Sequence, residues 1–335
     1  MSNSVPPISW LKAFGNRNLH LVLFMTEQCN FRCVYCYEDF KLGNIRADVV
    51  SGIKHLIRKR IDQLDSLEIS YFGGEPLMNK KGVLDISSWA KAIAKEKGIR
   101  YRGEITTNGY ALGAKTFHSL VSAGVTEYQI TLDGDQNWHD ATRPTMNKKP
   151  TFDKIHQNLL LMSASDLSFQ CLLRMNVADN NLEGVRQFLL KNATTLGQDK
   201  RIKLHFHPIW GLPELELTRR NEVQVLTDLA IKLGYNGLAV TNEKGRSEEY
   251  VCYAAKADSF SIRANGKVQK CTVALANPLN DIGKIHPDGT LELDEAKYKQ
   301  WIFAEQKDCP LKYFELEKLA VAYEGAGKFA EEAVA

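Results

Sequence analysis

From Leu19 onward the chain repeats one pattern: a short apolar run, a turn rich in Gly, Asn or Asp, then ten or more residues with apolar positions at helical spacing. The apolar runs predict strands at Leu19–Met25, Leu67–Phe72, Arg102–Thr107, Tyr128–Leu132, Phe169–Val177 and Lys203–Pro208. Helical patterns such as Val49–Ile61, Ser88–Lys97 and Leu182–Lys191 lie between them. Strict alternation of strand and helix predicts a parallel sheet with helices packed outside it. About six units are too few to close an eight-fold barrel, so the expected α/β fold is an open, curved one, a partial (β/α)6 TIM-like barrel.

Parallel strands covered on both faces read as continuous apolar runs, and several of these do not. In the fourth run Tyr128, Ile130 and Leu132 share one face, while Gln129, Thr131 and Asp133 share the other. In the second, Glu68 and Ser70 oppose Leu67, Ile69 and Tyr71. A polar inner face suits a lumen that holds a polar ligand, and such folds carry their chemistry at the carboxyl ends of the strands. After about residue 240 the pattern gives way to a Gly-, Asn- and Lys-containing stretch with short strand candidates at Ser259–Arg263 and Lys267–Cys271 and a helical pattern from Tyr313. The expected organisation is an N-terminal segment 1–18, the partial barrel 19–240, a small domain 241–325 and a frayed tail 326–335.

Charge changes this picture little: 43 basic and 40 acidic residues give +3, spread without a polybasic run that would suit nucleic acid or a membrane surface. No apolar stretch nears the roughly 20 residues that span a bilayer, and Met1 to Pro7 lacks the form of a signal peptide. The expectation is a cytoplasmic protein. In a reducing compartment seven cysteines are better read as metal ligands than as disulfides.

Three of them, in Cys29-Asn-Phe-Arg-Cys33-Val-Tyr-Cys36, directly follow the first strand. Three thiolates can ligate three irons of a cluster and leave the fourth open to chelate an amino acid. A structural zinc site or three buried thiols is the alternative, although zinc wants four ligands and no fourth candidate lies nearby. The second strand ends in Phe72-Gly73-Gly74-Glu75-Pro76, the third in Thr106-Thr107-Asn108-Gly109 and the fourth in Thr131-Leu132-Asp133-Gly134. Together these four motifs resemble the radical S-adenosylmethionine (SAM) superfamily over about residues 19 to 210. The resemblance implies a [4Fe–4S] cluster on Cys29, Cys33 and Cys36 that cleaves SAM reductively to a 5'-deoxyadenosyl radical. It also implies that Tyr35, Phe72, Gly73, Gly74, Glu75, Thr107, Asn108, Thr131 and Asp133 contact SAM, with Glu75 on its amino group. Glycines there let backbone approach a ligand, and a carboxylate accepts from an ammonium.

Weaker candidates stand beside these. Arg174 shares a face with Gln170 and Asn176; it and Arg143, in His139-Asp-Ala-Thr-Arg143, either pair with the carboxylate of SAM or are surface arginines. His205 and His207 share one face of the sixth strand and either line the substrate cavity as acid or base or cap a half-exposed strand. Cys171, among apolar neighbours, reads as core. In the last segment Cys252, Gly266 and Cys271 resemble the opening of the auxiliary-cluster region called SPASM, or twitch in its shorter form, with the glycine turning a hairpin. With Cys309 they could hold one auxiliary [4Fe–4S] cluster. Lys312 stands where a further cysteine is expected and the later ones are missing, so two auxiliary clusters are excluded by ligand count, while an empty structural hairpin stays open.

Within the resemblance, Thr272 occupies the position of the aspartate base of sulfatase maturases and cannot serve as a base near neutral pH. The preferred expectation is an oxidoreductase that cross-links a ribosomally made peptide. Sulfatase maturation and small-molecule dehydrogenation are the enzyme alternatives, and a structural or electron-carrying Fe–S protein the non-enzyme one. About eighteen residues before the first strand are too few for a leader-binding module of about 80 residues. A separate leader-binding protein and an electron donor such as flavodoxin or ferredoxin are therefore expected partners.

Overall fold

The computed structural model describes residues 13–209, 221–237, 251–302 and 310. They fall into two compact units, one built from 13–28, 38–103 and 251–302 with residue 310, the other from 29–37, 104–209 and 221–237. Cys309, Lys312 and the helical pattern from Tyr313 lie outside the described residues, as does the expected boundary near residue 240.

In the first unit β1 (Asn18–Thr26) runs parallel to β2 (Ser66–Gly73) on one side. On its other side it runs parallel to β7 (Ser259–Ile262). Helix α1 (Ala47–Arg60) joins β1 to β2, burying Val49, Ile53, Leu56 and Ile57, the spacing that turns one face of a helix toward a sheet. Helix α2 (Lys80–Lys97) begins at Asn79, whose side chain accepts from the Gly82 amide, and stops at Gly98 in the left-handed region. That cap places its start eight residues before the apolar signal at Ser88. Strand β3 (Arg100–Thr107) follows beside β2, and β4 (Val125–Thr131) belongs to the second unit.

After β7 the chain turns back through β8 (Lys267–Gln269), β9 (Asp281–Ile285) and β10 (Leu291–Leu293), each antiparallel to the one before, and then enters α8 (Glu295–Ile302). Gly266, at φ +87°, closes the β7–β8 hairpin as the sequence anticipates. Strands β9 and β10 are too short to show a period, which is why the sequence reading omits them.

In the second unit β4, β5 (Gln170–Val177) and β6 (Ile202–Pro208) are parallel. The helices α3 (Ala114–Ser122), α4 (Gln136–Thr142), α5 (Phe152–Ser163), α6 (Leu182–Asn192) and α7 (Glu222–Lys232) accompany them. The two-residue alternation holds: Tyr128 and Ile130 are buried in β4 while Gln129 and Thr131 are half-buried. Cys171 is core, its thiol pushed well up by burial. Among the described residues no helix is long and apolar enough to cross a membrane.

Candidate active site

The loop carrying Cys29, Cys33 and Cys36 leaves β1 and is fixed by backbone bonds within the second unit. Arg32 N–H donates to the Pro144 carbonyl at 2.9 Å, Val34 N–H to Thr142 at 3.0 Å, and Met146 N–H to Asn30 at 2.9 Å. Asn108, just past β3, donates from Nδ2 to Asn30 Oδ1 at 2.9 Å and lies 4.0 Å from Cys29 Sγ. Thr107 Oγ1 accepts from the Gly109 amide at 3.1 Å, holding that turn. None of the three forms a disulfide with another described residue. Among the described residues no three His, Cys, Asp or Glu side chains converge on a single ion. A cubane cluster presents its irons at separate corners, so thiolates spread along one loop suit it better than they suit zinc.

Tyr35 is the hub of the site. Its hydroxyl donates to Asp133 Oδ2 and accepts from Arg143 Nη1 at 2.7 Å and Asn176 Nδ2 at 3.1 Å. Burial pushes the phenol well above its ordinary pKa, so it keeps the proton it donates. Asp133 Oδ1 also accepts from the Asn176 amide at 2.8 Å. Arg143 is buried, not a surface residue, with its guanidinium 5.9 Å from the Tyr35 ring centroid and 6.0 Å from that of Phe31.

His139 supports this hub. Its Nδ1 accepts from the Asp133 amide at 3.1 Å, and its Nε2 lies 3.1 Å from Thr151 Oγ1, whose own hydrogen goes to the Arg143 carbonyl. Nε2 therefore carries the hydrogen, matching the neutral ring that burial and Arg143 enforce.

In the first unit the Gly73-Gly74-Glu75 turn packs against the end of β1. Gly74 N–H donates to Thr26 O and Glu75 N–H to Gln28 O, each at 3.0 Å. A Cβ on Gly74 would meet Gln28 O at 2.5 Å; one on Gly73, at φ +119°, would meet Thr26 O. Glycine is therefore required by close backbone approach. Glu75 is buried, and its Oε1 caps the following turn by accepting from Leu77 N–H at 2.9 Å. Phe72 packs edge-on against Phe24 at 5.4 Å. Glu27, fully buried, pairs with Arg263 at the hairpin turn and accepts from the Ala264 amide at 3.2 Å.

In the same unit Tyr253 links the two later cysteine loops. Its hydroxyl accepts from the Thr272 amide at 2.8 Å and lies 2.8 Å from Thr272 Oγ1, so residues adjoining Cys252 and Cys271 are tied together.

On the polar face of the second unit, register places Thr131, Arg174 and His205 side by side across β4, β5 and β6, with Asn176 beside His207. Arg174 Nε donates to Asn176 Oδ1 at 2.9 Å. Burial, with Arg174 nearby, lowers His205 to about 4 and His207 to about 3, so both rings are neutral near pH 7. At that basicity they are weak bases, and near pH 7 neither carries the second N–H of an imidazolium.

Three contributors carry no motif of their own along the chain: Asn176, His139 and the Glu27–Arg263 pair. Asn176 is legible as a two-residue neighbour of Arg174; the pair joins residues 236 positions apart and leaves no local signal.

Residues 23–189 match the Radical SAM superfamily profile. The chain is 23% identical over 280 residues to uncharacterized protein MJ0907 of Methanocaldococcus jannaschii, covering 84% of this chain and 93% of that one. It is 24% identical over 283 residues to the GTP 3',8-cyclase of Klebsiella pneumoniae, covering 82% and 80%. Among solved structures, native anSMEcpe with bound AdoMet superposes with TM-score 0.65 at 16% identity, covering 85% and 82%. Streptococcus suis SuiB bound to S-adenosylmethionine superposes with TM-score 0.61 at 16% identity, covering 88% and 70%.

Proposed function

The chain belongs to the radical SAM superfamily, and from that premise we propose that it modifies a ribosomally made peptide by abstracting hydrogen from a side chain. The carrying observation is the Tyr35 hub, which ties the Cys29–Cys36 loop to the ends of β4 and β5 through Asp133, Asn176 and Arg143. The [4Fe–4S] cluster held by Cys29, Cys33 and Cys36 supplies, when bound, the electron for SAM cleavage. Arg143 and Asn108 hold the cluster loop, Gly73 and Gly74 let the turn that carries Glu75 pack against the end of β1, and Glu75 is assigned to the ammonium of SAM.

A peptide substrate is supported by the polar row on β4–β6 and by two neighbours: anSMEcpe has been solved with AdoMet and a Kp18Cys peptide, and SuiB with the precursor peptide SuiA. Thr272, hydrogen-bonded to Tyr253, supplies no carboxylate base, which favours cross-linking over formylglycine formation. Cys252, Cys271 and Cys309 are assigned to one auxiliary cluster.

The second reading is nucleotide cyclisation, favoured by the similarity to GTP 3',8-cyclases over most of the chain. Mass spectrometry of a small neighbouring open reading frame's product, co-expressed with this protein, tests the first reading: loss of hydrogens or a new cross-link supports it. An unmodified peptide, with GTP-dependent SAM consumption by the purified protein, overturns it in favour of the second.

A further inference from the structure

We propose that Arg174 and His205 form a subsite for a carboxylate carried by the substrate, an acidic side chain or chain terminus. The inference deepens the peptide reading and rests on it. Arg174 lies on the same face as His205 and directly opposite it in register. Its only hydrogen bond among the described residues runs from Nε to Asn176, and no carboxylate there lies within ion-pair distance of it. The remaining guanidinium donors of a largely desolvated cation are therefore available to an anion, which a planar fork of N–H groups suits.

Both ring nitrogens of His205 are shielded from solvent and make no hydrogen bond to any described residue. Leaving such groups unmet is costly, so a partner for the ring is expected on ligand entry. The charge facing the ring is Arg174, and the neutral His207 ring lies 5.7 Å away by centroid. Burial, and after it Arg174, keeps the imidazole neutral, with one N–H to donate. Asp133 acts on Arg174 only from beyond ion-pair distance, so the two donor groups select a carboxylate over an ammonium, which Arg174 would repel. A divalent metal is disfavoured by the same charge.

SAM also carries a carboxylate, so the sources must be separated. The test uses the full, anaerobically reconstituted protein with ring-15N histidine, followed by NMR, with His205→Gln assigning the His205 signal. Four probes are compared: SAM, an acetylated Ala-Glu-Ala amide, its Ala-Gln-Ala counterpart, and glutarate. The expected result is that the Glu peptide shifts the His205 signal and raises that ring's pKa by about one unit or more, while the Gln peptide and SAM leave it in place. A shift with glutarate but not with the Glu peptide upholds the acid subsite and overturns its assignment to a peptide. A shift with SAM alone overturns the proposal by giving the subsite to SAM. Equal shifts with Glu and Gln peptides, or none with either acid while SAM still binds, overturn it too.

Discussion

Replacing Tyr35 by Phe removes one hydroxyl and tests whether the hub holds the cluster loop. That oxygen donates to the Asp133 carboxylate and accepts from Arg143 at 2.7 Å and Asn176 at 3.1 Å. Asp133 keeps the Asn176 amide at 2.8 Å, so its loss is partial, whereas Arg143 loses a charge-assisted acceptor while buried. Hydrogen bonds to charged groups are worth about 1.5–3 kcal/mol each, and partial re-pairing of Arg143 with Asp133 leaves a net loss of about 2 kcal/mol. For a chain of 335 residues that corresponds to a fall in melting temperature of about 3 °C. Because every partner is a protein group, the fall should appear in reconstituted and in chelator-stripped protein alike, measured by calorimetry. Iron retention by the reconstituted variant should drop as well. A melting temperature within about 1 °C of the parent in both forms, with full iron retention, refutes the hub.

Glu75→Gln and Glu75→Ala should each weaken SAM binding about tenfold or more without changing the cluster's absorption spectrum, since the lost group is a charged acceptor. Only the Ala variant should also lose about 1 kcal/mol of stability, through the cap on Leu77; unaltered SAM affinity in both would reduce Glu75 to a turn cap. Unfolding free energy, followed by urea midpoint, should fall as pH drops below about 6.5. The unfolded chain protonates His205 and His207 there, while the folded rings stay neutral down to about 4 and about 3. The His205→Gln/His207→Gln double variant should flatten that slope, and an identical slope would contradict the pKa assignment. Protein with Cys29, Cys33 and Cys36 all changed to Ala should keep a smaller iron content after reconstitution; none at all would show that Cys252 and Cys271 hold no cluster.

Much of the fold is visible along the chain because each strand and helix repeats at its own period. All six expected barrel strands occur with ends shifted by a few residues, as β4 shows in starting at Val125 instead of Tyr128. The cysteine loop and the Gly-Gly-Glu turn are visible because cluster ligation and close backbone approach both demand fixed residue types at fixed spacing. The hub is less so. Tyr35 and Asp133 are 98 residues apart, and only the parallel register of β4 and β5 brings Asn176 to both. The ionisation of His205 is not legible at all, since it depends on burial and on Arg174 from another strand. Glu75 shows a residue whose motif suggests a ligand contact, while the structure adds a second duty as a helix cap.

With the cluster in place, Cys29, Cys33 and Cys36 are expected to support reductive cleavage of SAM. The most direct test is the anaerobic formation of 5'-deoxyadenosine and methionine from SAM by reconstituted, dithionite-reduced protein, measured by liquid chromatography and mass spectrometry. Turnover-independent cleavage is predicted for the parent and none above background for Cys29→Ala, Cys33→Ala or Cys36→Ala; product formation by any of the three at the parent's rate would contradict the account.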